Sequence, residues 1–252
     1  MKLLAIETAT RQMGVAVMDG ARLLSSYELL ADYPHAVELP GAVKRTLQAA
    51  QVLLGQVEAI AVDIGPGSFT GLRIGMAFVK ALAFPAKTPL VGVSSLDVLA
   101  ANAPFAPGLI CPLLDAKQRN VYAALYQMDG GRPVRRSEYF LGPIDDWLAH
   151  VTSAAVFLGD GCVLYRDRIA ERLGDHARFA EPDLWLPRAA TLARLGQARL
   201  AKGERDDPAR LVPLYLYPLD CSVRGPDRPS NRLPKASRPA PPSAIASPPT
   251  VL

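Results

Sequence analysis

The residues of this chain best placed for ligand chemistry lie in a glycine-rich segment, Ile64–Gly75. The run before it, Val57–Ile64, is rich in alanine, valine and isoleucine, which is typical of a buried strand. Gly65–Gly67 cannot continue that strand, and Ser68 or Thr70 can cap the helix that follows. Because a helix N-terminus exposes backbone N–H groups, the segment could hold an anion. A tight turn with close strand–helix packing explains the same glycines, and the glycines alone favour that simpler explanation.

Other catalytic motifs are missing from the sequence. It has no Gly-x-x-x-x-Gly-Lys-Ser/Thr phosphate loop, and Ser68 lies in Gly-Ser-Phe-Thr-Gly rather than in the Gly-x-Ser-x-Gly of a nucleophilic serine. His150 and His176 stand in polar stretches without a second ligand at metal-binding spacing. The motifs therefore predict no catalytic residue and no metal ligand.

Cysteine usage indicates a protein of the reducing cytoplasm, and hydropathy indicates that the protein has a hydrophobic core. Cys111, Cys162 and Cys221 are an odd, scattered set that forms neither a disulfide framework nor a zinc knuckle. Half of the 252 residues are hydrophobic, mean hydropathy is +0.13, and no run of eighteen apolar residues occurs. The opening run, Met1–Glu7, meets an acid too early for a signal peptide. We predict a cytoplasmic protein without a membrane span.

The C-terminal segment differs in composition from the rest. Beyond Ser222, five cations oppose only Asp227, so this segment supplies a charge of +4, the same as the net charge of the whole chain. Rich in proline and without aromatic residues, 223–252 is predicted to be disordered. An electrostatic tether to RNA and a solvated tail without a role both explain its charge, and the second is favoured.

The remaining periodicity predicts an α/β protein of two lobes, spanning 1–103 and 104–222, with a boundary near Pro104. The predicted strands are Leu3–Thr8, Met13–Met18, Arg22–Leu29, Val57–Ile64, Leu90–Val93, Leu109–Asp115, Asn120–Gln127, Arg135–Phe140 and Ala154–Leu158. The predicted helices are Pro40–Leu54, the helix after the glycine loop, a short helix ending at Ala101, Ile144–His150, Tyr165–Leu173 and Ala189–Lys202. The last helix is long enough to pack back on either lobe. Both lobes open with an apolar strand that ends in an acid, Glu7 or Asp115, which hints at a duplicated unit.

The glycine segment and four further motifs resemble the TsaB family over about Met1 to Leu219. The motifs are Ala5–Thr10, His35–Pro40, Asp115–Tyr122 and Pro213–Leu216, in the family's order. The resemblance implies a two-lobed, actin- and sugar-kinase-like α/β fold with mixed sheets flanked by helices. It also implies a role in attaching a threonylcarbamoyl group to the adenosine beside the anticodon of tRNA. In that family the chemistry belongs to a homologous partner, TsaD, and a small ATPase, TsaE, also joins.

Departures from the catalytic pattern point to a non-catalytic subunit. The catalytic relative carries a His-x-x-x-His pair that can grip a metal, and Ser95 and Leu99 stand at the matching places here. In the first hairpin, Glu7 and Ala9 replace the usual Asp and Gly of an actin-like ATPase. We expect no intrinsic cofactor and leave open a weak adenine-nucleotide site at a shared cleft. Its candidate residues are Glu7, Thr8, Thr10, Gly65, Gly67, Ser68 and Asp115.

Two helices rich in small residues are the predicted partner-binding surface. We expect the helix beginning near Pro40 and the helix after the glycine loop to form a bundle with TsaD or with a second copy of this chain. The candidate interface residues are His35, Glu38, Leu39, Ala42, Val43, Arg73, Gly75, Met76 and Ala77. The alternative is that both helices merely cover their own sheet.

Three functions are compatible with these patterns. The first is a scaffold and activator of tRNA threonylcarbamoylation that acts with TsaD and TsaE. The second is a metal-dependent hydrolase of the glycoprotease type, against which the missing histidine pair argues. The third is a stand-alone small-molecule kinase of the same fold, against which the altered first hairpin argues.

Overall fold

The structure, a computed structural model, describes residues 1–30 and 35–217. The predicted disordered tail, 223–252, and Cys221 lie outside the described residues. The first lobe is built on a five-stranded sheet in the order β3-β2-β1-β4-β5. Its strands are β1 (Lys2–Glu7), β2 (Gln12–Asp19), β3 (Arg22–Leu30), β4 (Ala59–Gly65) and β5 (Leu90–Ser94). β1 pairs antiparallel with β2 and parallel with β4, so the sheet is mixed.

Six α-helices flank the sheets in the described residues. They are α1 (His35–Ala49), α2 (Phe69–Ala86), α3 (Ser95–Ala101), α4 (Ile144–Leu148), α5 (Gly161–Leu173) and α6 (Ala189–Ala201). Side chains on β1 alternate between the two faces of the sheet: Leu4 and Ile6 join the core under α1 and α2, whereas Leu3 and Ala5 join the core under α6. The helix that the sequence leaves free to pack on either lobe therefore packs on the first.

The second lobe repeats the arrangement of the first. Its central strands follow the order β10-β7-β6-β11-β12, and β8 and β9 extend the sheet at one side. The strands are β6 (Leu109–Lys117), β7 (Asn120–Ala123), β8 (Tyr126–Asp129), β9 (Arg132–Arg135), β10 (Phe140–Pro143), β11 (Ala155–Leu158) and β12 (Ala177–Phe179). β6 pairs antiparallel with β7 and parallel with β11, as β1 does with β2 and β4. α5 follows β11 as α2 follows β4. The predicted two-lobed, actin- and sugar-kinase-like fold is confirmed, and the duplication is evident in the topology.

Two predicted strands of the second lobe are wrong in extent. The predicted strand 120–127 is interrupted at Ala124 and Leu125, because β7 pairs with the second half of β6 while β8 pairs with its start. At the break, Leu125 accepts a backbone hydrogen bond from Arg136 (2.7 Å) and donates one to Ser137 Oγ (2.9 Å). Of the predicted strand 135–140, only Arg135 and Phe140 lie in strands, as the last residue of β9 and the first residue of β10, and 136–139 connect the two. The sequence of 120–127 does not indicate this break, because it results from pairing with different parts of β6, which is distant in the chain.

Helix bounds differ most at α1. It begins at His35 rather than at Pro40, because burial of Leu39 draws the earlier turn into the core. It ends at Ala49 rather than at Leu54, since Gln51 adopts a left-handed φ of 55°. α5 begins at Gly161, four residues before the predicted start.

Candidate functional site

The glycine loop between β4 and α2 uses its backbone N–H groups within the protein. Ser68 caps α2 by accepting a hydrogen bond from Gly71 N (3.2 Å), and Ser68 N donates to Ala9 O (2.6 Å). Gly65 N donates to Asp63 Oδ1 (2.7 Å). These three N–H groups already have acceptors within the protein, so an anion bound here would have to displace one of them. Their geometry therefore does not support anion binding.

The glycines of this segment permit close approach to the first hairpin. A Cβ atom at Gly67 would collide with the carbonyl oxygen of Ala9, and one at Gly71 would collide with that of Thr8. At Gly75 a Cβ would meet the Thr8 hydroxyl. The structure therefore supports close packing as the reason for the glycines, and anion binding by the loop stays a prediction.

Two fully buried carboxyl groups lie beneath this loop. Glu7 ends β1 and accepts a hydrogen bond from Ala9 N at Oε1 (2.6 Å). Asp63 accepts from Gly65 N and from the Ser95 hydroxyl (2.6 Å) at Oδ1. The remaining oxygens, Glu7 Oε2 and Asp63 Oδ2, are buried without a hydrogen-bond partner, and the charge of Asp63 acts on Glu7.

A proton on Glu7 reconciles these facts. Burial, and then the nearby charge of Asp63, raise the pKa of Glu7 well above its ordinary value of 4.5. Burial also raises the pKa of Asp63, although hydrogen bonds from its neighbours oppose that rise. We infer that Glu7 is protonated and donates a hydrogen bond to the Asp63 carboxylate. The pair would then join β1 to β4.

The candidate nucleotide residues do not form a single cluster. Glu7, Thr8, Gly65, Gly67 and Ser68 lie together around the first hairpin. Thr10 accepts a hydrogen bond from Gln12 N within that hairpin (3.2 Å). Asp115 belongs to the other sheet, where it pairs with Lys117 Nζ (2.5 Å) and donates its N–H to Asp160 (3.0 Å).

A segment without predicted helix or strand, which includes the Pro213–Leu216 motif, runs from the start of β5 to the carboxyl end of β4, the side at which open α/β sheets bind ligands. We call residues 205–217 the strap. Asp206 binds the edge strand β5 by donating its N–H to Leu90 O (2.9 Å) and accepting from Gly92 N (2.7 Å). Further on, Leu214 N donates to Ile64 O at the end of β4 (2.6 Å).

The strap then connects the two lobes. Tyr215 accepts a hydrogen bond from Arg73 Nε on α2 (3.0 Å). Tyr217 reaches the second lobe, where its hydroxyl accepts from Asn120 Nδ2 (2.9 Å) and donates to Ala116 O near the end of β6 (3.1 Å). The strap therefore links β4, β5 and α2 of the first lobe to β6 and β7 of the second.

The places that correspond to the catalytic histidine pair lie inside the protein. Ser95 is fully buried with its hydroxyl on Asp63, and Leu99 is fully buried in the core of the second lobe. Neither place opens to solvent. Among residues 1–30 and 35–217, no three His, Cys, Asp or Glu side chains group together as metal ligands would.

The histidines and buried thiols have structural partners. His35 Nε2 lies 2.9 Å from Thr10 O, which ties α1 to the first hairpin, and His150 stacks on Trp147 at 5.8 Å. Burial raises the pKa of Cys111 to about 12, and its sulfur accepts a hydrogen bond from Trp147 Nε1 (3.2 Å). Burial also raises the pKa of Cys162, so both thiols stay protonated and unreactive at neutral pH.

The predicted partner surface divides into buried and exposed residues. Five of its members are buried in their own lobe: Leu39, Ala42, Val43, Gly75 and Met76. His35 and Glu38 are half-buried, whereas Arg73 and Ala77 are exposed. Both helices do cover their own sheet, and any partner must dock on the opposite faces.

The outward face of α2 is largely apolar. Arg73, Ala77, Ala81 and Phe84 follow one another at helical spacing and are exposed, with Phe84 at 85%. Val37, 71% exposed, adds to this face from α1. We call these five residues the outer face. Its signal in the sequence is a second apolar stripe on α2, in addition to the stripe that packs on the sheet.

By length and composition alone, α2 is also apolar enough to cross a membrane, at a mean hydropathy of 1.2. A third of it is buried, and its inward side chains, including Leu72 and Val79, pack on the first sheet as those of a core helix do.

Comparisons with known proteins agree with this geometry. Residues 29–219 match the family model described as TsaD: tRNA N6-adenosine threonylcarbamoyltransferase. The tRNA threonylcarbamoyladenosine biosynthesis protein TsaB of Bacillus subtilis (strain 168) is 32% identical, over 86% of this chain and 94% of that protein. The protein of the same name from Escherichia coli (strain K12) is 29% identical over the same shares. The solved structure of YeaZ from Pseudomonas aeruginosa superimposes with a TM-score of 0.73 at 30% identity, covering 85% of this chain and 99% of that one. The chain therefore belongs to the TsaB (YeaZ) family of tRNA threonylcarbamoyladenosine biosynthesis proteins.

Proposed function

We propose that the chain is a non-catalytic scaffold and activator in tRNA threonylcarbamoylation. It acts with TsaD and TsaE when the threonylcarbamoyl group passes from threonylcarbamoyl-AMP to N6 of the adenosine beside the anticodon, in tRNAs that read ANN codons. The proposed place of action is the cytoplasm.

The observation that carries this proposal is the contrast between the glycine loop and the outer face. The glycine loop packs closely on the first hairpin, and the strap is hydrogen-bonded to the strand that leads into the loop. The outer face instead leaves apolar side chains of α2 and α1 in solvent. Apolar surface gathered on one face marks a site of protein association. A chain arranged in this way is suited to bind a partner.

TsaD is the proposed occupant of the outer face. The chain itself matches the TsaD family model over 191 of its residues, 29–219. Two proteins built on the same duplicated lobe present matching helices, which can pack as a bundle. In the absence of TsaD, a second copy of this chain is the proposed substitute. A weak adenine-nucleotide site, if formed, would be shared with the partner rather than intrinsic.

Co-purification with TsaD tests the docking face. Ala77→Arg places a long charged side chain at the centre of the outer face, without touching the buried positions that hold the fold. We expect this variant to lose TsaD while its thermal unfolding stays unchanged. Ala170→Arg is the matched control, because Ala170 is exposed on α5, the equivalent helix of the second lobe. Equal recovery of TsaD by the two folded variants would refute the outer face as the TsaD-binding surface.

Reconstitution tests the role. The chain is combined with TsaD, TsaE, tRNA and threonylcarbamoyl-AMP, and each component is then omitted in turn. We expect tRNA modification to require both this chain and TsaD. Metal-dependent peptide cleavage, or phosphorylation of a small molecule by this chain alone, would contradict the proposal and support one of the alternatives.

A further inference from the structure

A group of cations and aromatic rings at the N-terminal end of α2, on the strap and in the turn between β6 and β7 shares only Arg73 with the outer face. We call Phe69, Arg73, Arg119, Tyr215 and Tyr217 the rim. The Arg73 guanidinium lies 3.8 Å from the centre of the Phe69 ring, and the Phe69 and Tyr215 rings are 5.4 Å apart. Phe69 is 55% exposed, so an aromatic face remains in solvent beside a fixed guanidinium.

The strap connects the two elements that carry the arginines of the rim. Tyr215 accepts a hydrogen bond from Arg73 of the first lobe, and Tyr217 accepts one from Asn120, the residue that follows Arg119 in the second lobe. Two residues of extended chain span at most about 7 Å, so the two tyrosines leave the strap close to each other. The strap therefore links the first turns of α2 to the hairpin with Arg119, although the two elements belong to different lobes.

The turn that presents Arg119 is strained. Lys117, Gln118 and Arg119 have φ values of 65°, 50° and 63° in succession. Left-handed conformations cost a residue with a side chain about 1–2 kcal/mol, and two-residue hairpin turns normally use Asn-Gly or Asp-Gly. Such strain is typical of sites where side chains are used. Here it keeps Gln118 and Arg119, both exposed, at the tip of the hairpin.

The charge of the rim is poorly compensated. Within the described residues, Arg119 has no hydrogen-bond or ion-pair partner, and Arg73 uses only Nε, so its two terminal amino groups are unpaired. The nearby acid, Asp115, is already neutralised by Lys117. Beyond Tyr217 the sequence adds five more cations: Arg224, Arg228, Arg232, Lys235 and Arg238. The rim thus combines two exposed arginines with one exposed ring, Phe69, beside Arg73. Arginines that contact phosphates and aromatic rings that stack on bases are the features that bind single-stranded or looped RNA.

We propose that the rim binds RNA, so that this subunit contacts the tRNA directly as well as through its partner. The proposal rests on the proposed function in taking tRNA as the RNA.

Binding of labelled tRNA to the full-length chain, followed by fluorescence anisotropy over a range of salt, tests the rim. The test variant is the double replacement Arg73→Gln with Arg119→Asn, because asparagine tolerates a left-handed φ. Loss of two phosphate contacts should reduce the salt slope by about 1.4, which corresponds to about 25-fold weaker binding at 0.1 M salt. Arg119→Asn alone should give about half of the change in slope.

Two controls separate charge from turn geometry. Gln118→Asn eases the same turn without removing charge, and Arg132→Gln removes an exposed arginine at the opposite end of the second sheet. Both controls should bind tRNA as the unaltered chain does. An unchanged salt slope in the double variant would refute RNA binding by the rim. An equal loss of tRNA binding in Arg132→Gln would refute it as well.

Arg119→Asn, which lies outside the outer face, is compared with the unaltered chain for recovery of TsaD. Retained TsaD with weakened tRNA binding supports the rim as an RNA surface. Lost TsaD with unchanged tRNA binding would make it a protein interface and refute the proposal. A chain that binds tRNA through the rim but is dispensable for TsaD-dependent modification would contradict the proposed function and leave the rim intact.

Discussion

Replacing Glu7 by glutamine tests whether the buried acid pair holds a proton. In the structure, Glu7 Oε1 accepts a hydrogen bond from Ala9 N, and Oε2 is buried without a partner. Glutamine is nearly isosteric with the protonated acid: its carbonyl can keep the first bond and its NH₂ group can donate to Asp63. We therefore expect Glu7→Gln to fold normally and to keep the link between β1 and β4.

The magnitude follows from the raised pKa of Glu7. Between its ordinary value of 4.5 and its higher folded value, the folded protein holds a proton that the unfolded chain has lost. Stability contributed by this group is complete below pH 4.5 and declines as pH rises, by about 1.4 kcal/mol per pH unit until the folded pKa is reached. Glu7→Gln cannot lose this proton, so its free energy of unfolding should not show this part of the decline.

Urea unfolding from about pH 5 to about pH 8.5 measures the difference. Burial also raises the pKa of Glu28, to about 7, but both proteins carry Glu28, so its contribution cancels in the comparison. For each pH unit between 4.5 and the folded pKa of Glu7, we expect the variant to gain about 1.4 kcal/mol on the unaltered protein, or about 3–6 °C in Tm. Glu181→Gln is the matched control because that carboxyl is exposed and should leave the pH dependence unaltered. Parallel curves for Glu7→Gln and the unaltered protein would show that Glu7 is ionised and would refute the reasoning.

Three further predictions concern packing and reactivity. Gly71→Ala forces a Cβ against the Thr8 carbonyl oxygen, so urea unfolding should show a loss of about 1–3 kcal/mol, whereas an unchanged midpoint would mean that loop and hairpin separate easily. Tyr217→Phe removes both hydrogen bonds that attach the strap to the second lobe, and limited proteolysis should cut the strap several-fold faster, with no change if the ring contact alone holds it. With the third cysteine replaced by serine, Cys111 and Cys162 should resist a thiol reagent at pH 8 until the protein unfolds, because burial raises both pKa values; fast labelling of the native protein would contradict their burial.

The sequence by itself determined the elements that local chemistry specifies. The continuously buried apolar runs of β1 and β2 and the Ser68 cap of α2 depend on neighbours in the chain, so local patterns predict them. The motif order was sufficient to indicate the family and the two-lobed fold. Local patterns also identified the small residues of α2, but they did not separate Gly75, which is buried against Thr8, from Ala77, which is exposed.

Only the tertiary structure decided which residues meet across long separations. Glu7 and Asp63 are 56 positions apart, and nothing near either residue indicates that one shields the other from water. The strap lacks periodicity, so it looks like a simple loop, although Leu214 and Tyr217 join the two lobes. The break at Ala124 has the same origin, since the strand changes partner there and its apolar sequence suits both partners. Burial, proton affinity and exposed faces are properties of the assembled chain, because each depends on what the rest of the molecule places beside a residue.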